Sequence, residues 1–348
     1  MERWIRGAWE SMIKKVGIIG QGFVGTALKE AFSPHYEVFT HDKFRDDLST
    51  CASTESVARK CGFDSVIFVC VPTPMKYNGS CDTSIVEEVC DSISYGGISE
   101  GFPSSWPEHS ETIIVIKSTI PPGTTRKLQW KDTCRSHSFP IVFNPEFLME
   151  KTATEDFKNT KRIVLGGRTD NHLWFEEERM GYMTHVNWGN ILRKFYLKVF
   201  PEAEIIETDS TTAEFVKYIT NCFLATKVSL ANEFALLCDS CGVDYDKVIE
   251  YATQDERLGK SHWAVPGPDG KKGFGGSCFP KDLNGIIAFA KELRLDSDPH
   301  NPFQKTSNRG MKPLATNTLE GAWKTNLKVR PEKDWEDLKG RVVVDGNP

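Results

Sequence analysis

Short apolar runs alternate with helical patterns along the first half of the chain. The apolar runs are typical of buried strands and lie at residues 14–19, 36–40, 64–71, 112–116, 139–143 and 162–165. Helical patterns lie between some of them, at residues 25–32, 83–92 and 124–135. This alternation predicts an α/β fold with a mostly parallel, doubly wound sheet of the Rossmann type. Residues 162–165 would form its last strand.

Longer helical patterns dominate the second half of the chain. A helix is predicted over residues 211–241, with Asp209 or Ser210 at its start and Gly242 at its end. Further helices are predicted at residues 245–252, 283–293 and 314–327, and a short strand at residues 203–206. A loop rich in glycine and proline fills residues 257–276. This half is therefore expected to form a mainly helical region.

The composition is typical of a globular protein in water. The chain has 348 residues, of which 39% are hydrophobic and 26% charged, and its formal net charge is −5. This balance argues against a general nucleic-acid or membrane-surface partner. We find no apolar run long enough for a transmembrane helix, and the first residues lack the features of a signal peptide.

The ten cysteines follow no disulfide framework. Cys238 and Cys241 form the single Cys-x-x-Cys pair, and neither a second pair nor a histidine cluster accompanies it. The sequence therefore predicts a cytoplasmic protein with reduced thiols and no metal site.

A glycine motif follows the first predicted strand. Residues 20–25 read Gly-Gln-Gly-Phe-Val-Gly and lie between a strand and a helix. Glycines in this arrangement permit a tight turn and the close approach of a pyrophosphate to the helix N-terminus. Asp42 follows the second strand, where a carboxylate can hold a ribose hydroxyl. Because that carboxylate would repel a 2′-phosphate, NAD is favoured over NADP as the cofactor.

Polar loops follow three of the other predicted strands. They comprise residues 72–74, 118–119 and 146–150. Ligands of doubly wound sheets bind beyond the carboxyl ends of the strands, where these loops would meet. Each loop alone is compatible with an ordinary chain reversal, but three on one rim of the sheet favour a binding site.

Lys217 and Asn221 lie four residues apart in the long predicted helix, so they project from the same face. A helical lysine is most often solvated, and that interpretation stays open. The apolar neighbours Phe215, Val216 and Tyr218 argue against full exposure of Lys217.

Residues 273–282 combine glycines with a cysteine, a lysine and an aspartate in the sequence Gly-Phe-Gly-Gly-Ser-Cys-Phe-Pro-Lys-Asp. The glycines let the backbone pass close to a ligand. Lys281 would favour the reactive thiolate of Cys278, and Asp282 could orient a water molecule or move a proton. The alternative is a glycine-rich turn with an inert, buried cysteine.

Taken together, these motifs resemble the UDP-glucose/GDP-mannose dehydrogenase family over residues 13–290. The motifs are G-x-G-x-x-G at residues 20–25, VPTP at 71–74, KST at 117–119, NPEFL at 144–148, the helix with Lys217 and Asn221, and GFGGSCFPKD at 273–282. The resemblance implies an NAD-dependent, four-electron oxidation of the 6-hydroxyl of a nucleotide sugar to a carboxylate, through a thiohemiacetal and a thioester on a cysteine. UDP-glucose is the favoured substrate. The alternatives are GDP-mannose, another UDP-sugar, or a non-catalytic nucleotide-binding relic.

The resemblance also assigns roles to individual residues. The implied catalytic residues are Cys278, Lys217, Asn221, Asp282, Thr119 and Glu146. Among them Cys278 would be the nucleophile and Lys217 would stabilise an oxyanion. The implied NAD contacts are Gly20, Gly22, Phe23, Val24, Asp42, Lys43, Thr73, Ser118, Thr119, Glu150 and Lys281. The implied sugar-nucleotide contacts are Glu146, Phe147, Leu148, Lys217, Asn221, Phe274, Gly275, Gly276 and Cys278.

The chain departs from the family pattern in two places. Met149 and Lys151 flank Glu150, where an arginine and a glycine are common in the family. The family also carries a third α/β domain, of which we expect this chain to hold only a remnant that contains a Pro/Asn-rich loop at residues 299–313 and a strand at residues 341–346. The nucleotide half of the pocket would then be reduced, rebuilt by a neighbouring subunit, or missing. We therefore expect four regions: an extension (1–11), an NAD-binding domain (12–208), a central helical domain (209–297) and a reduced nucleotide-sugar-binding segment (298–348). The resemblance further implies a homodimer through the long helix.

Overall fold

The computed structural model describes residues 13–62, 64–96, 112–133, 139–167, 188–295 and 315–345. The chain divides into two compact units, one formed by Met1–Pro72 with Thr83–Lys217 and the other by Thr73–Asp82 with Tyr218–Pro348. The predicted extension at residues 1–11 and the predicted loop at residues 299–313 lie outside the described residues.

The first unit contains a sheet whose strands alternate with helices, as the sequence predicts. Its described strands are β1 (Lys15–Ile19), β2 (Glu37–His41), β3 (Ser65–Val69), β4 (Ile113–Ile116), β5 (Ile141–Phe143), β6 (Arg162–Gly167) and β7 (Glu204–Asp209). Its described helices are α1 (Phe23–Phe32), α2 (Thr54–Cys61), α3 (Ser84–Gly96), α4 (Thr124–Thr133), α5 (Ala153–Lys158) and α6 (Trp188–Val199). The helical patterns in the sequence did not predict α2 and α5, which have only eight and six residues.

The strand order in the sheet is β2-β1-β3-β4-β5-β6-β7. Neighbours from β2 to β5 pair in parallel, β5 and β6 pair antiparallel, and β6 and β7 pair in parallel. The prediction of a mostly parallel sheet is confirmed. The prediction that residues 162–165 form its last strand is wrong, because β7 pairs with β6 along its whole length. Pairing between distant segments sets the edge of a sheet, and the apolar pattern of one strand carries no information about it.

The strands are apolar on both faces, because each face of the sheet is covered by helices. In β3, Val66 and Phe68 belong to the core on one face, while Ile67 and Val69 belong to the core on the other. Each fully buried aliphatic or aromatic side chain of this kind contributes about 1.5–3 kcal/mol to stability. The two cores fix the strands whose carboxyl ends carry the polar loops.

Helix α6 contributes an aromatic cluster to one of these cores. The ring of Phe195 lies 5.0 Å from that of Phe32 and 4.7 Å from that of Tyr36, measured between centroids. The hydroxyl of Tyr36 donates a hydrogen bond to the carbonyl of Phe195 at 2.9 Å. Helix α6 is therefore a packing element of the first unit.

The second unit is mainly helical. Helix α7 (Ser210–Ser240) begins in the first unit and continues into the second, which also contains α8 (Tyr245–Ala252), α9 (Phe279–Leu295) and α10 (Asn317–Val329). Its apolar core consists of Tyr218, Cys222, Ala225, Phe274, Leu283, Ile287 and Ala322. Helix α9 begins four residues before the predicted start, because Pro280 is well suited to the first turn of a helix.

The predicted strand at residues 341–346 is not formed by its described part, residues 341–345. This segment contains turns, and Val343 makes isolated bridges to Met75 and Lys339. The amide of Met75 donates to the carbonyl of Val342 at 2.7 Å, and the amide of Val344 donates to the carbonyl of Met75 at 3.0 Å. A strand needs a partner strand of similar length, and here Met75 is a single residue that pairs with this segment. None of the described helices is both long enough and apolar enough to cross a membrane.

Candidate active site

The glycine loop between β1 and α1 is shaped by close backbone contacts. Gly20 has a φ of +92°, and a Cβ at this residue would lie 2.5 Å from the carbonyl oxygen of Cys70. A Cβ at Gly25 would lie 1.9 Å from the carbonyl oxygen of Gly20. By contrast, no atom of the described residues, apart from the chain neighbours of Gly22, lies within 4 Å of its Cβ position. The first and third glycines are therefore required for packing, and the middle one leaves open space.

That open space faces the start of a helix. Gly22 occupies the N-cap position of α1, no side chain caps the helix there, and its first turn has no acidic residue. Uncapped N–H groups at a helix N-terminus attract anions, and phosphates bind there in dinucleotide sites. Phe23 and Val24 form the beginning of the helix and are half-buried.

Asp42 lies beside this loop, directly after β2. Its Oδ2 accepts a hydrogen bond from the amide of Gln21 at 2.6 Å, and its Oδ1 accepts one from the amide of Phe44 at 2.8 Å. The neighbouring Lys43 is exposed, and its ammonium lies over the ring of Phe44. The carboxylate is thus fixed next to the loop, which fits the diphosphate and ribose of a dinucleotide such as NAD.

Ser118 and Thr119 follow β4 and are both buried. The hydroxyl of Ser118 donates to the carbonyl of Val71 at 2.6 Å, which ties the end of β4 to the end of β3. The carboxyl ends of β3 and β4, after which the sequence predicts polar loops, are therefore joined by this hydrogen bond.

Lys117 precedes them and is 4% exposed. Its Nζ donates to Asn144 Oδ1 at 3.0 Å, and the hydroxyl of Tyr196 donates to the same oxygen at 2.6 Å. The amide group of Asn144 donates in turn to the carbonyl of Val164 at 2.7 Å. Burial lowers the pKa of Lys117 to about 8. This network links the KST and NPEFL segments beneath the rim.

Glu146 and Lys217 form a buried ion pair. Lys217 Nζ lies 2.8 Å from Glu146 Oε1 and also donates to the carbonyl of Glu146 at 2.6 Å. Glu146 Oε2 accepts from the amide of Leu148 at 2.8 Å. Burial opposes ionisation of Glu146, but the charge and hydrogen bond of Lys217 outweigh it, so the pKa of Glu146 is lowered. Lys217 is 3% exposed, which excludes the solvated-lysine interpretation.

The side chain of Phe147 lies against two cations. Its ring is 5.7 Å from Lys217 Nζ and 5.1 Å from the guanidinium carbon of Arg162. Leu148 is half-buried, whereas Glu150 is exposed. The structure therefore brings Glu146, Phe147 and Lys217 together and leaves Glu150 at the surface of this unit.

Glu214 lies on α7, one turn before Lys217, and is fully buried. Its carboxylate accepts hydrogen bonds from the amides of Gly123 and Thr125 and from the hydroxyl of Thr125. Burial raises its pKa to about 7, although these hydrogen bonds act in the opposite direction. Glu214 thus fastens the long helix to the segment that follows the KST motif.

In the second unit, Asn221 and Asp282 form a hydrogen-bonded pair. The amide group of Asn221 donates to Asp282 Oδ2 at 2.6 Å, and the Lys281 ammonium contacts Asp282 Oδ1. Asp282 is 1% exposed. Burial alone would lower the pKa of Lys281, but the charge and hydrogen bond of the Asp282 carboxylate outweigh it, so this pKa is raised. The aspartate is therefore held between an amide and a cation.

Cys278 lies at the start of α9 and is half-buried. Its carbonyl accepts the hydrogen bond of the Asp282 amide at 3.0 Å, so the cysteine is the residue directly before the helix. Its sulfur lies 3.6 Å from the hydroxyl of Ser277. A helix N-terminus and a neighbouring ammonium both favour negative charge on a sulfur atom.

The remaining predicted contacts of the second unit are the glycine loop and Thr73. Phe274 is buried in the apolar core, Gly275 is half-buried and Gly276 is exposed. Thr73 is buried, and its carbonyl lies 3.9 Å from the sulfur of Cys81.

The sequence assigned no role to several buried polar residues of the first unit, among them Lys117, Asn144, Tyr196 and Glu214. Lys117 and Asn144 stand within the KST and NPEFL motifs, so their position next to predicted site residues could have revealed them. No local pattern distinguishes Tyr196 or Glu214 from other helical residues, because their partners are 52 and about 90 residues distant in sequence.

Two family models match the chain. Residues 26–182 match the NAD binding domain of the UDP-glucose/GDP-mannose dehydrogenase family, and residues 211–307 match the central domain of that family. The glycine loop at residues 20–25 lies just before the region that matches the NAD binding domain, and Asp42 lies within that region.

Individual known proteins give the same picture. The chain is 36% identical to UDP-glucose 6-dehydrogenase of Rickettsia bellii over 232 residues, which is 66% of this chain and 46% of the relative. It is 29% identical to UDP-glucose 6-dehydrogenase TuaD of Bacillus subtilis over 80% of this chain and 59% of that protein. The solved UDP-glucose dehydrogenase of Pyrobaculum islandicum superposes with a TM-score of 0.70 at 26% identity, covering 93% of this chain and 69% of that one. The chain spans about half the length of the curated relatives it matches.

Proposed function

Because the chain belongs to the UDP-glucose/GDP-mannose dehydrogenase family, we propose that it oxidises the 6-hydroxyl of a nucleotide sugar to a carboxylate with NAD. The reaction removes four electrons from one carbon and passes through a thiohemiacetal and a thioester on Cys278. The substrate we propose is UDP-glucose, and the product is UDP-glucuronate.

The observation that carries this proposal is the arrangement around Asp282. A fully buried carboxylate lies four residues from a half-accessible cysteine and is held by Asn221 and Lys281. Burying a carboxylate costs free energy unless it is hydrogen-bonded and paired, and Asn221 and Lys281 meet both conditions for Asp282. A thiol, a carboxylate and a cation in one small region are what covalent capture and hydrolysis require.

When bound at the glycine loop of the first unit, NAD would supply the hydride acceptor, and each of the two oxidations would use one NAD. The residues that would hold it include Gly22 and the start of α1, on the diphosphate, and Asp42, on the ribose. The negative charge of Asp42 favours NAD over a cofactor with a 2′-phosphate.

The residues of the chain supply the remaining chemistry. In the thiolate form, Cys278 Sγ bonds to the aldehyde carbon, and the aldehyde oxygen takes up a proton, which gives a thiohemiacetal that cannot diffuse away. Oxidation of this adduct leaves a thioester. Water then attacks the thioester carbon, the C–S bond breaks, and the products are the carboxylate and the free thiol. Asp282 is the group we assign to orient this water and accept its proton.

Cations and amides assist these steps by stabilising negative charge on the substrate oxygen. We assign this electrostatic role to Lys217 and Asn221, whose side chains already bind carboxylates in the folded chain. Thr119 and Glu146 are the residues we assign to hold water and relay the proton of the alcohol.

We also propose that two copies of the chain associate through α7. Large apolar side chains recur on this helix at Ile219, Phe223, Leu230, Phe234 and Leu237, and between 42% and 66% of each is exposed. Their spacing of three, four and seven residues places them on one face. Exposed apolar stripes of this length mark protein interfaces. A second copy of α7 offers a surface of the same shape and chemistry.

The test of the proposed reaction is the amount of NADH formed per UDP-glucose consumed by the purified protein. Two NADH per sugar, with UDP-glucuronate as the product, is the expected result. One NADH per sugar would mean that the aldehyde escapes, which contradicts capture by Cys278.

Controls separate the remaining possibilities. No reaction with UDP-glucose, but turnover of GDP-mannose or of another UDP-sugar, would replace the substrate and keep the mechanism. No reaction with any of these sugars, in a protein that binds NAD, would identify the chain as a non-catalytic nucleotide-binding protein.

A further inference from the structure

The glycine loop that leads to Cys278 is held by helix α10. The side chain of Asn326 accepts a hydrogen bond from the amide of Phe274 at 2.7 Å and donates one to the carbonyl of Phe274 at 2.9 Å. Asn326 is fully buried. A carboxamide offers a donor and an acceptor side by side, so one side chain satisfies both backbone groups of a loop residue, as a neighbouring strand would.

Arg330, four residues after Asn326, also contacts the chain next to the glycine loop. Its guanidinium forms two hydrogen bonds with the carboxylate of Asp334, at 2.9 and 2.7 Å, and one with Asp269 at 2.7 Å. Its Nη1 also lies 3.4 Å from the carbonyl oxygen of Lys272, the residue before the glycine loop. Arg330 is 1% exposed. The two carboxylates and the carbonyl compensate the buried charge of Arg330, so its guanidinium is held in a defined position.

The glycines of the loop are in direct contact with these two side chains. A Cβ at Gly273 would lie 2.4 Å from Asn326 Oδ1, and a Cβ at Gly275 would lie 2.5 Å from Arg330 Nη2. Gly273 also has a φ of +69°, which favours glycine. The first part of the loop is thus pressed against α10 without space for any side chain.

We propose that Asn326 and Arg330 are positioning residues that set the geometry of Cys278 through the glycine loop. This inference rests on the proposed role of Cys278. Three residues separate Phe274 from the cysteine, and α9 begins directly after it. A loop fixed at Phe274 and at the first turn of α9 has little freedom between these points. The segment after residue 314 therefore forms part of the support of the catalytic centre.

The test replaces Asn326 by aspartate, which has the same shape but no N–H to donate. The carboxylate would face the carbonyl oxygen of Phe274 and repel it. The matched control is Asn317→Asp, the same change at an exposed position of α10. The readouts are the rate at which iodoacetamide alkylates Cys278, followed by mass spectrometry of its peptide, and kcat and KM for UDP-glucose and NAD.

The expected result is a shift of about tenfold or more in the alkylation rate of Cys278 in N326D, because a displacement of about 1 Å at a reacting group can cost up to 100-fold. We expect kcat to fall by a similar factor, while KM for NAD stays within about twofold of the wild-type value. Arg330→Lys keeps the charge but cannot form both hydrogen bonds to the carboxylate of Asp334. We expect it to change the alkylation rate and kcat in the same direction as N326D.

Other outcomes would overturn the proposal. A folded N326D protein with the alkylation rate and kcat of N317D would show that the loop geometry does not depend on this contact. Failure of both N326D and R330K to fold would show that these residues support the whole second unit instead of the loop. Because alkylation of Cys278 does not require turnover, its rate in N326D and N317D decides this inference even if the wild-type protein is inactive on every nucleotide sugar, a result that would remove only the proposed function.

Discussion

The ammonium of Lys217 lies 2.8 Å from the carboxylate of Glu146, and both side chains are at most 6% exposed. The same ammonium donates to the carbonyl of Glu146, so one cation binds both the side chain and the backbone of the NPEFL segment. The pair attaches α7 to the carboxyl end of β5. It also lowers the pKa of Glu146, which favours the charged carboxylate.

Removing the cation should destabilise the protein. Lys217→Met leaves the buried carboxylate of Glu146 without its partner, and we expect the free energy of unfolding to fall by about 3–5 kcal/mol. Urea unfolding measures this change. Lys247→Met, at a lysine of α8 whose side chain is 70% exposed, should change stability by less than about 0.5 kcal/mol.

The double variant tests whether the pair itself is responsible. Glu146→Gln in addition to Lys217→Met removes the uncompensated charge, so it should restore part of the lost stability. A double variant that loses the sum of the two single effects would contradict the coupling.

Lys117 should make stability depend on pH in the alkaline range. Its pKa is about 8 in the folded protein, below its usual value of 10.5. Between these values the unfolded chain binds a proton that the folded chain does not, so the contribution of this lysine to stability rises with pH. The free energy of unfolding of the wild type, measured relative to Lys117→Met, should therefore increase from about pH 8 to about pH 10.5. A difference that stays constant over this range would show that Lys117 titrates normally.

Cys278→Ser should stop formation of the acid while leaving NAD binding intact. A serine hydroxyl is a weak nucleophile at neutral pH and cannot capture the aldehyde as a thiolate does. Product analysis by chromatography and NAD binding by calorimetry provide the measurement. Cys241→Ser, at an exposed cysteine, is the matched control and should retain full activity. Undiminished formation of UDP-glucuronate by the Cys278 variant would exclude the thioester route.

Asp42→Asn should weaken NAD binding and reduce the preference of the protein for NAD over NADP. Losing one charge-assisted hydrogen bond costs about 1.5–3 kcal/mol, which is roughly a 10- to 100-fold rise in Kd. Asp46→Asn, at an exposed aspartate close by in the chain, controls for the change in net charge. Equal NAD affinity in both variants would place the ribose elsewhere.

The apolar stripe on α7 should control the oligomeric state. Phe223→Lys puts a charge in the middle of the stripe, so we expect a dimeric wild type and a monomeric variant in light scattering at micromolar concentration. Phe44→Lys, at another exposed phenylalanine, should leave the mass unchanged. A monomeric wild type would contradict association through this helix.

Local patterns in the sequence predicted most of the secondary structure and many of the candidate site residues. The strands of the first unit were visible because a parallel sheet covered on both faces requires continuous apolar runs. Gly20 and Asp42 were visible because a tight turn and a ribose contact require particular residues at particular spacings. The stretch at residues 273–282 was recognisable because glycines, a thiol, a cation and a carboxylate stand together in it.

Contacts between distant segments were decided only by the tertiary structure. The sequence placed Lys217 on a helix but could not reveal that its cation meets Glu146, 71 residues earlier. It also left β7 outside the sheet and predicted a strand at residues 341–346 where the described residues form turns. No sequence pattern indicated a role for Asn326, since the role of this helical asparagine depends on its contact with the glycine loop. The sequence by itself determined the chemistry that is available, because reactive groups and turn residues are local properties. Which groups meet was decided by packing, because burial brings together residues that no local spacing connects.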